Sequence, residues 1–489
     1  MNYSIILKIL SIVLWIMALA FSASAGVSLL YSNETLEANA ISSWICAIAM
    51  SAMLAVALYI PSRNAPKKLF RKEAMCVIGL AWILASLVGA MPYLMILNCS
   101  LSQAFFESAS GITTTGASVF GDFSNFPKSL MFWRCLSHWI GGLGVVVFFV
   151  AILSFLGAAG KILYANEAST DSGDFESERI KSSVMSIVWL YLIISILCFG
   201  FLNFFGMDTF EAVCHTFSIV STGGFGTRED SFASYANYGI YWTAIAFMFI
   251  GGTSFALMLA LAKFKLKKLL NNSEFWTYLM IIIVSVIIVF TSISYAQHSP
   301  FLETLTHSTF QVVSLLTTTG LSSENYQNWL PLPQIILLII ATVGGCSGST
   351  SGGLKISRAL ASFRLCKREV EKSFRPRVVR NVFINGKALK EDDASDILSF
   401  VVLYMLIIAF GIIMLSLLEP KLSITGCITA IIAMVSNIGP GFMEVGCDSN
   451  YGILNDISQI LLAFLMIMGR LEIYAVLVLF MPSLWKKFQ

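Results

Sequence analysis

The chain has 489 residues, of which 57% are hydrophobic and 12% are charged, and its mean hydropathy is +0.80. This composition excludes an ordinary soluble domain, and a formal net charge of +3 is too small to indicate a nucleic-acid partner. The ten cysteines form no CxxC pair and mostly lie in apolar runs, which favours packing over metal or disulfide sites. The sequence therefore predicts an integral membrane protein.

About ten segments are apolar and long enough to cross a bilayer as helices, which takes about 20 residues. They lie near 5–30, 40–61, 74–98, 129–156, 184–205, 238–262, 275–296, 333–362, 396–418 and 453–481. The first could also be a secretory signal, because Lys8, an apolar run and the small residues at 20–26 fit that pattern. Its length favours a retained helix.

Four shorter apolar stretches lie near 102–113, 209–220, 302–317 and 423–436. Each is too short to span and ends at a short segment that closes with glycine: 113–116 (TTTG), 220–223 (VSTG), 317–320 (TTTG) and 436–439 (SNIG). We expect each to be a re-entrant half-helix, because bare backbone at that depth needs protein or a watery cavity around it. The fold class is thus all-α, with about ten spans and four half-helices.

The glycines recur about every hundred residues, as a structural repeat requires. The predicted organisation is an N-terminal helix pair (1–65) followed by four units of span, half-helix, filter segment and span. These units cover 66–165, 166–272, 273–385 and 386–489, and together they would surround one pore.

Basic residues fix the predicted orientation. They follow the second, sixth, eighth and tenth spans: Arg63, Lys67, Lys68, Arg71, Lys72, Lys263, Lys265, Lys267, Lys268, Arg358, Arg364, Lys367, Arg368, Lys372, Arg375, Arg377, Arg380, Lys486 and Lys487. If the spans alternate, all of them lie on one side, which the positive-inside rule makes the cytoplasm. Both termini would then be cytoplasmic, and Lys128 and Lys421 are the main exceptions.

The repeated segments suit a dehydrated cation, which needs a ring of oxygens in place of its water. Glycine permits backbone angles that turn carbonyls on both sides toward one axis, and the C-terminal dipole of each half-helix favours a cation there. Helix stops without a pore are the alternative for any single copy. The predicted K+ ligands are Thr114, Thr115, Gly116, Val220, Ser221, Thr222, Gly223, Thr318, Thr319, Gly320, Asn437, Ile438 and Gly439.

Residues 344–355 (GGCSGSTSGGLK) interrupt the eighth span with small residues, which predicts a pliable loop at membrane depth or a packed kink. A phosphate-binding loop is excluded, because Leu354 stands where that motif needs lysine. Arg470 lies near the middle of the last span, where an isolated charge costs at least ~2.5 kcal/mol. It must line water or pair with a group such as Glu472.

Four features together resemble the Trk/Ktr/HKT superfamily of potassium transporters, and within it the bacterial TrkH branch. They are the four filter segments, WIGGLG at 139–144, the 344–355 stretch and GRLE at 469–472. The resemblance implies an intramembrane gate made of Gly344, Gly345, Gly348, Ser349, Thr350, Gly352, Gly353, Lys355 and Arg470. Gly116 favours potassium, since a serine there accompanies sodium preference in the plant relatives.

The resemblance also implies a homodimer in the bacterial inner membrane, with lipid around it and a TrkA-like cytosolic ring of nucleotide-binding subunits beneath it. It implies no cofactor beyond the transported K+. An ion-coupled secondary transporter, a K+/H+ or Na+ symporter or a carrier of another small solute, is the alternative. An enzyme is disfavoured, because no cluster of His, Asp or Glu is visible in the spans.

Overall fold

The structure, a computed structural model, describes residues 1–65, 70–155, 173–297, 300–376, 380–471 and 473–485. Several residues named above therefore lie outside the described residues: Lys67, Lys68, Arg377, Glu472, Lys486 and Lys487. The described chain is helical apart from short connections and one two-stranded hairpin of β1 (Phe383–Ile384) and β2 (Lys387–Ala388). The predicted all-α fold class is confirmed.

Seven helical segments in the described part of the chain are long and apolar enough to cross a membrane. They are α1 (Tyr3–Leu30), α2 (Thr35–Ser62), α3 with α4 (Arg71–Gly89 and Met91–Leu97), α6 (Lys128–Phe155), α7 (Gly173–Phe204), α12 (Ser273–Gln297) and α16 (Glu391–Leu418). Many of their apolar side chains are exposed, as lipid-facing residues are, including Leu19, Met280 and Leu417.

Three of the ten predicted spans are broken. The sixth bends by 101° between α9 (Tyr238–Gly251) and α10 (Phe255–Ala262), before the short α11 (Leu266–Leu270). The eighth consists of α14 (Pro331–Val343), the loop 344–355, and the basic helix α15 (Ile356–Phe374). The last bends by 115° after α18 (Asp456–Arg470), where α19 (Tyr474–Leu477) begins; α20 (Pro482–Trp485) follows. Glycine and small polar residues at the first two breaks explain them, since such residues weaken a helix.

The four short helices fall where the sequence predicts them. We call them pore helices 1 to 4: α5 (Leu101–Ile112), α8 (Thr209–Val220), α13 (Phe301–Leu316) and α17 (Ile424–Val435). Side chains cap three of their N-termini: Ser100 accepts from the amide of Gln103, Asp208 from Phe210, and Ser423 from Gly426. Such caps satisfy amides that the first turn leaves unpaired. All four helices are mostly buried, so they occupy the centre of the molecule.

The N-terminal pair packs against the first unit rather than at the centre. Trp44 of α2 and Phe21 of α1 are fully buried against Trp133 of α6, and the Trp44 indole N–H donates to Ser129 Oγ at 3.0 Å. The four-unit boundaries stay a prediction, whereas the sequence of span, pore helix, turn and span is visible in each unit.

Candidate functional site

The backbone adopts the same conformation after each of the four pore helices. The first residue after each helix is a serine or threonine: Thr113, Ser221, Thr317 and Ser436. The second residue has a left-handed backbone, with φ of 51° to 56°: Thr114, Thr222, Thr318 and Asn437. The fourth is a glycine with φ of 75° to 99°: Gly116, Gly224, Gly320 and Gly439. We call these four-residue stretches, 113–116, 221–224, 317–320 and 436–439, filter segments 1 to 4.

Main-chain hydrogen bonds repeat in the same register. In every segment the amide of the third residue donates to a carbonyl five residues earlier in the pore helix, over 2.7 to 2.9 Å. The donors are Thr115, Gly223, Thr319 and Ile438, and the acceptors are Ser110, Ser218, Ser314 and Ala433. The four turns are therefore equivalent in backbone geometry although their side chains differ.

This register differs by one residue from the sequence prediction in the second unit. The prediction matched Gly223 to the other glycines, whereas the backbone places Gly224 in the equivalent position and Gly223 one step earlier. Val220 is correspondingly the last residue of pore helix 2, not the first of the filter segment. The signal that identifies Gly224 was present in the sequence, because each segment begins with Ser or Thr three residues before its glycine.

The four segments form a closed ring. A Cβ added to Gly116 would lie under 3.0 Å from the main-chain oxygen of Gly223 in segment 2. The same holds from Gly224 to Thr319 in segment 3, from Gly320 to Ile438 in segment 4, and from Gly439 back to Thr115 in segment 1. Each glycine thus touches the equivalent carbonyl of the next segment, and only glycine leaves room for this contact. The segments converge on one axis.

This ring provides main-chain oxygens without charged side chains. Carbonyl oxygens arranged in a ring can replace the water around a monovalent cation. All four pore helices end at the ring, so their C-terminal dipoles add negative potential there. Among the described residues, no group of three or more His, Cys, Asp or Glu side chains could hold a metal ion instead. The predicted filter residues are thus brought together, with Gly224 added.

The loop 344–355 lies against the end of this ring that is next to the C-termini of the pore helices. The Thr350 hydroxyl donates to the carbonyl oxygens of Val220, at 3.2 Å, and Gly251, at 3.0 Å, and Thr222 Oγ1 donates to it at 3.3 Å. The amide of Gly352 donates to the hydroxyl of Thr318 at 2.6 Å. A Cβ on Gly352 would collide with the carbonyl oxygen of Ser436, so the loop contacts segments 2, 3 and 4.

Loop residues of the predicted gate hold one another in this position. Gly344, Gly348 and Gly353 have positive φ, and Gly344 packs directly on Gly353. Ser349 Oγ lies 2.6 Å from Ser351 Oγ, while Gly345 packs against Ser351. Lys355 is buried and its ammonium donates to the carbonyl oxygen of Ser351.

Arg470 also contacts the loop. It is the last residue of α18, only 5% of it is exposed, and its Nη1 donates to the carbonyl oxygen of Thr350 at 2.6 Å. Its Nε and Nη2 have no hydrogen-bond partner among the described residues. A buried guanidinium requires water or an accepting group at each of these donors. The alternative pairing with Glu472 lies outside the described residues.

The second residues of the filter segments divide into two kinds. The hydroxyls of Thr222 and Thr318 bond to the loop, whereas Thr114 Oγ1 and Asn437 Oδ1 have no partner among the described residues. The Asn437 amide instead donates to Thr115 Oγ1 at 3.0 Å and to the Met466 carbonyl at 2.8 Å. Asn437 therefore joins segments 4 and 1 to the helix that carries Arg470.

A buried ion pair, which sequence reasoning missed, braces segment 1. Arg134 of α6 and Glu107 of pore helix 1 are 1% and 0% exposed, and Nη2 lies 2.7 Å from Oε1. Glu107 also accepts from the amide of Val119 and the hydroxyl of Ser118, just after the filter glycine. The signal was a lone arginine inside a predicted span, the same signal that identified Arg470.

The second unit uses a similar but more exposed brace. Arg228 donates to both carboxylate oxygens of Glu211, at 2.9 and 3.1 Å, and the Tyr235 hydroxyl adds a third bond at 2.9 Å. The bonds to Glu211 raise the pKa of Arg228. Glu107 and Glu211 are thus each paired with an arginine.

His138 links segments 1 and 2. Its Nδ1 lies 2.9 Å from the carbonyl oxygen of Gly111, in the last turn of pore helix 1, and its Nε2 accepts from the amide of Phe225 at 3.2 Å. It is fully buried and packs on the Phe225 ring. This role has no signal in the sequence, because a histidine in an apolar span gives no indication of its partners.

A ring of main-chain oxygens at the centre of a multi-span helical protein defines the chain as a membrane transport protein for cations rather than an enzyme. The chain belongs to the TrkH family of cation transport proteins, whose family model matches residues 40–487.

Named relatives agree with this assignment. The chain is 30% identical over 439 residues to the Trk system potassium uptake protein TrkH of Escherichia coli (strain K12), covering 88% of this chain and 89% of that protein. It is 31% identical over 493 residues to the TrkH protein of Halomonas elongata, covering 100% of both. The crystal structure of the potassium transporter TrkH from Vibrio parahaemolyticus superposes with a TM-score of 0.90 at 27% identity, covering 99% of this chain and 100% of that one.

Proposed function

We propose that this chain takes up potassium across a bacterial inner membrane through the ring formed by filter segments 1 to 4. The closed contact of each filter glycine with the next segment's carbonyl is the observation that carries the proposal. A ring of main-chain oxygens suits K+, whose dehydration it offsets, whereas the ring offers no charge for a divalent ion. The relatives named above carry potassium uptake in their names.

The loop 344–355 and Arg470 form the gate of this pathway. The contacts from Thr350 and Gly352 to three filter segments support this role, since a loop seated there obstructs the inner end of the ring. Arg470 holds the Thr350 carbonyl and adds a positive charge at the constriction. Ions pass when the loop moves aside and these bonds are exchanged for water.

The wider setting follows from charge and family. The positive-inside rule places both termini and the basic helix α15 in the cytoplasm, so the pore helices enter from outside. The resemblance adds a homodimer and a TrkA-like ring of nucleotide-binding subunits beneath it. An ion-coupled symporter is the second candidate, and the same filter would serve it.

The test is ion flux into liposomes that contain the purified chain, with K+, Rb+ and Na+ compared at a set voltage. We expect K+ and Rb+ to permeate and Na+ to lag by at least about tenfold, the ratio that a difference of ~1.4 kcal/mol produces. Equal permeation by all three ions would contradict the potassium assignment. A current that fails to reverse at the K+ equilibrium potential would favour coupled transport instead.

A further inference from the structure

The gate loop is fastened to a helix end remote from the filter. Glu274, the second residue of α12, is 5% exposed, and its Oε1 accepts from the amide of Ser347 at 2.6 Å. A carboxylate buried in this way persists only where it is hydrogen-bonded. Ser347 precedes Thr350 by three residues, so Glu274 holds the stretch of the loop that leads to the filter contacts.

The position of Glu274 is set in turn by the hairpin of β1 and β2. Asn385, at the hairpin turn, has φ of 49° and is followed by Gly386 with φ of 77°, the conformation of a tight Asn-Gly turn. Asn385 Oδ1 accepts from the Ser273 hydroxyl at 3.0 Å and from the Glu274 amide at 3.3 Å. The main-chain amide of Asn385 donates back to Ser273 Oγ at 3.1 Å. The turn thus adds a second capping bond to α12, beside that of Asn272, whose Oδ1 accepts from the amide of Phe275 at 2.9 Å.

The hairpin also bonds to the helix that leaves the gate loop. Arg364 of α15 donates to the carbonyl oxygen of Phe383 in β1. Arg368, one turn further, pairs with Glu391 at the start of α16 at 2.7 Å. The hairpin therefore sits between the start of α12 and the outgoing helix of the loop.

We infer that this hairpin is a latch on the gate, in which Asn385 positions Glu274 and Glu274 holds Ser347 in the closed arrangement. The inference rests on the proposed function, since it assigns the regulation of the same gate. Displacing the hairpin frees Glu274, and the loop then loses an anchor without any change in the filter. Glu274 and Asn385 are positioning residues, because neither touches the ring.

The test uses the full chain in liposomes, with two substitution pairs. Asn385→Ala removes the capping bond at the Glu274 amide and leaves that of Asn272 in place, whereas Asn385→Asp retains an accepting oxygen and tolerates the left-handed backbone. Glu274→Ala removes the acceptor for Ser347, whereas Glu274→Gln keeps one. We expect the two alanine variants to raise K+ flux about fivefold, the equilibrium change that follows loss of one capping bond. The Asp and Gln variants should stay within about twofold of wild type by the same argument.

Asn2→Ala is the matched control, because Asn2 also caps a helix by accepting from a main-chain amide, that of Ser4, but it has no contact with the loop. Its flux should equal that of wild type. The K+ over Na+ ratio should be unchanged in all variants, and a changed ratio would overturn the latch, because the filter itself would then be altered.

Hydrogen exchange separates the latch from the transport proposal. Asn385→Ala should speed exchange of the Ser347 amide in the loop peptide, whereas Asn2→Ala should not. Unchanged exchange together with unchanged flux would refute the latch. Faster exchange in a chain whose wild type carries no K+ would leave the latch standing and refute the proposed transport.

Discussion

Gly224→Ala tests the register of filter segment 2. Gly224 has φ of +94°, a conformation that costs an L-residue roughly 1–2 kcal/mol. The new methyl would also lie under 3.0 Å from the Thr319 carbonyl oxygen, which belongs to the backbone of the next segment and has no rotamer by which to yield. Overpacking of this kind typically costs ~1–3 kcal/mol. Together the two costs come to ~2–5 kcal/mol, and ~3 kcal/mol of this on the ion-conducting arrangement corresponds to at least roughly a 100-fold loss of flux.

The assay is K+ flux per folded molecule in liposomes, with Gly206→Ala as the matched control. Gly206 also has a positive φ, +92°, but a Cβ there would meet nothing within 4 Å, so the control carries strain without collision. Its flux should match wild type. Gly223 has an ordinary φ, and a methyl on it would press on the His138 ring instead. Wild-type flux and selectivity in Gly224→Ala would refute the ring geometry.

Two further substitutions test the gate and the brace. Arg470→Ala should raise K+ flux by about fivefold or more, because a unit charge a few ångströms from the ion imposes a barrier of roughly 1–4 kcal/mol. Arg470→Lys keeps the charge, and its flux should stay near that of wild type. Lowered flux in the alanine variant would contradict the barrier role. Arg134→Ala should lower the free energy of unfolding by ~3–5 kcal/mol, because Glu107 would be left buried and unpaired. The control Lys128→Ala breaks a half-exposed pair with Glu34 and should lower the free energy of unfolding by under about 1 kcal/mol. Thermal unfolding in detergent compares the two, and equal shifts would refute the brace.

The fold could be predicted because bilayer physics leaves few choices. Span length, the side of the basic residues and the shortness of the pore helices each follow from transfer of groups out of water. The pore-helix boundaries agree with the sequence prediction within about a residue for the same reason. The apolar pattern of the sequence did not predict the bend after Gly251 or the turn after Arg470, because packing partners decide the direction of the helix that follows.

The site was only partly predictable. Glycine spacing identified three of the four ring glycines, but the pair Gly223-Gly224 left the register open, and the end of the pore helix decides it. Glu274 lies at the start of a helix, where the helix dipole alone is enough to explain an acidic residue. The sequence therefore carries no signal of its bond to Ser347. Contacts between residues far apart in sequence, such as Asn437 with Thr115, are fixed by the assembled ring alone.

Under the proposed gating, one loop suffices to close the pore because the four quarters belong to a single polypeptide. In an assembly of identical subunits, any plug must appear four times and crowd itself on the axis. Here the quarters differ from one another. The third carries the loop that contacts the filter segments, the fourth carries Asn437, which bonds to segment 1, and the first carries the buried pair of Arg134 and Glu107. On the proposed mechanism, opening of this pore therefore needs the release of only one segment.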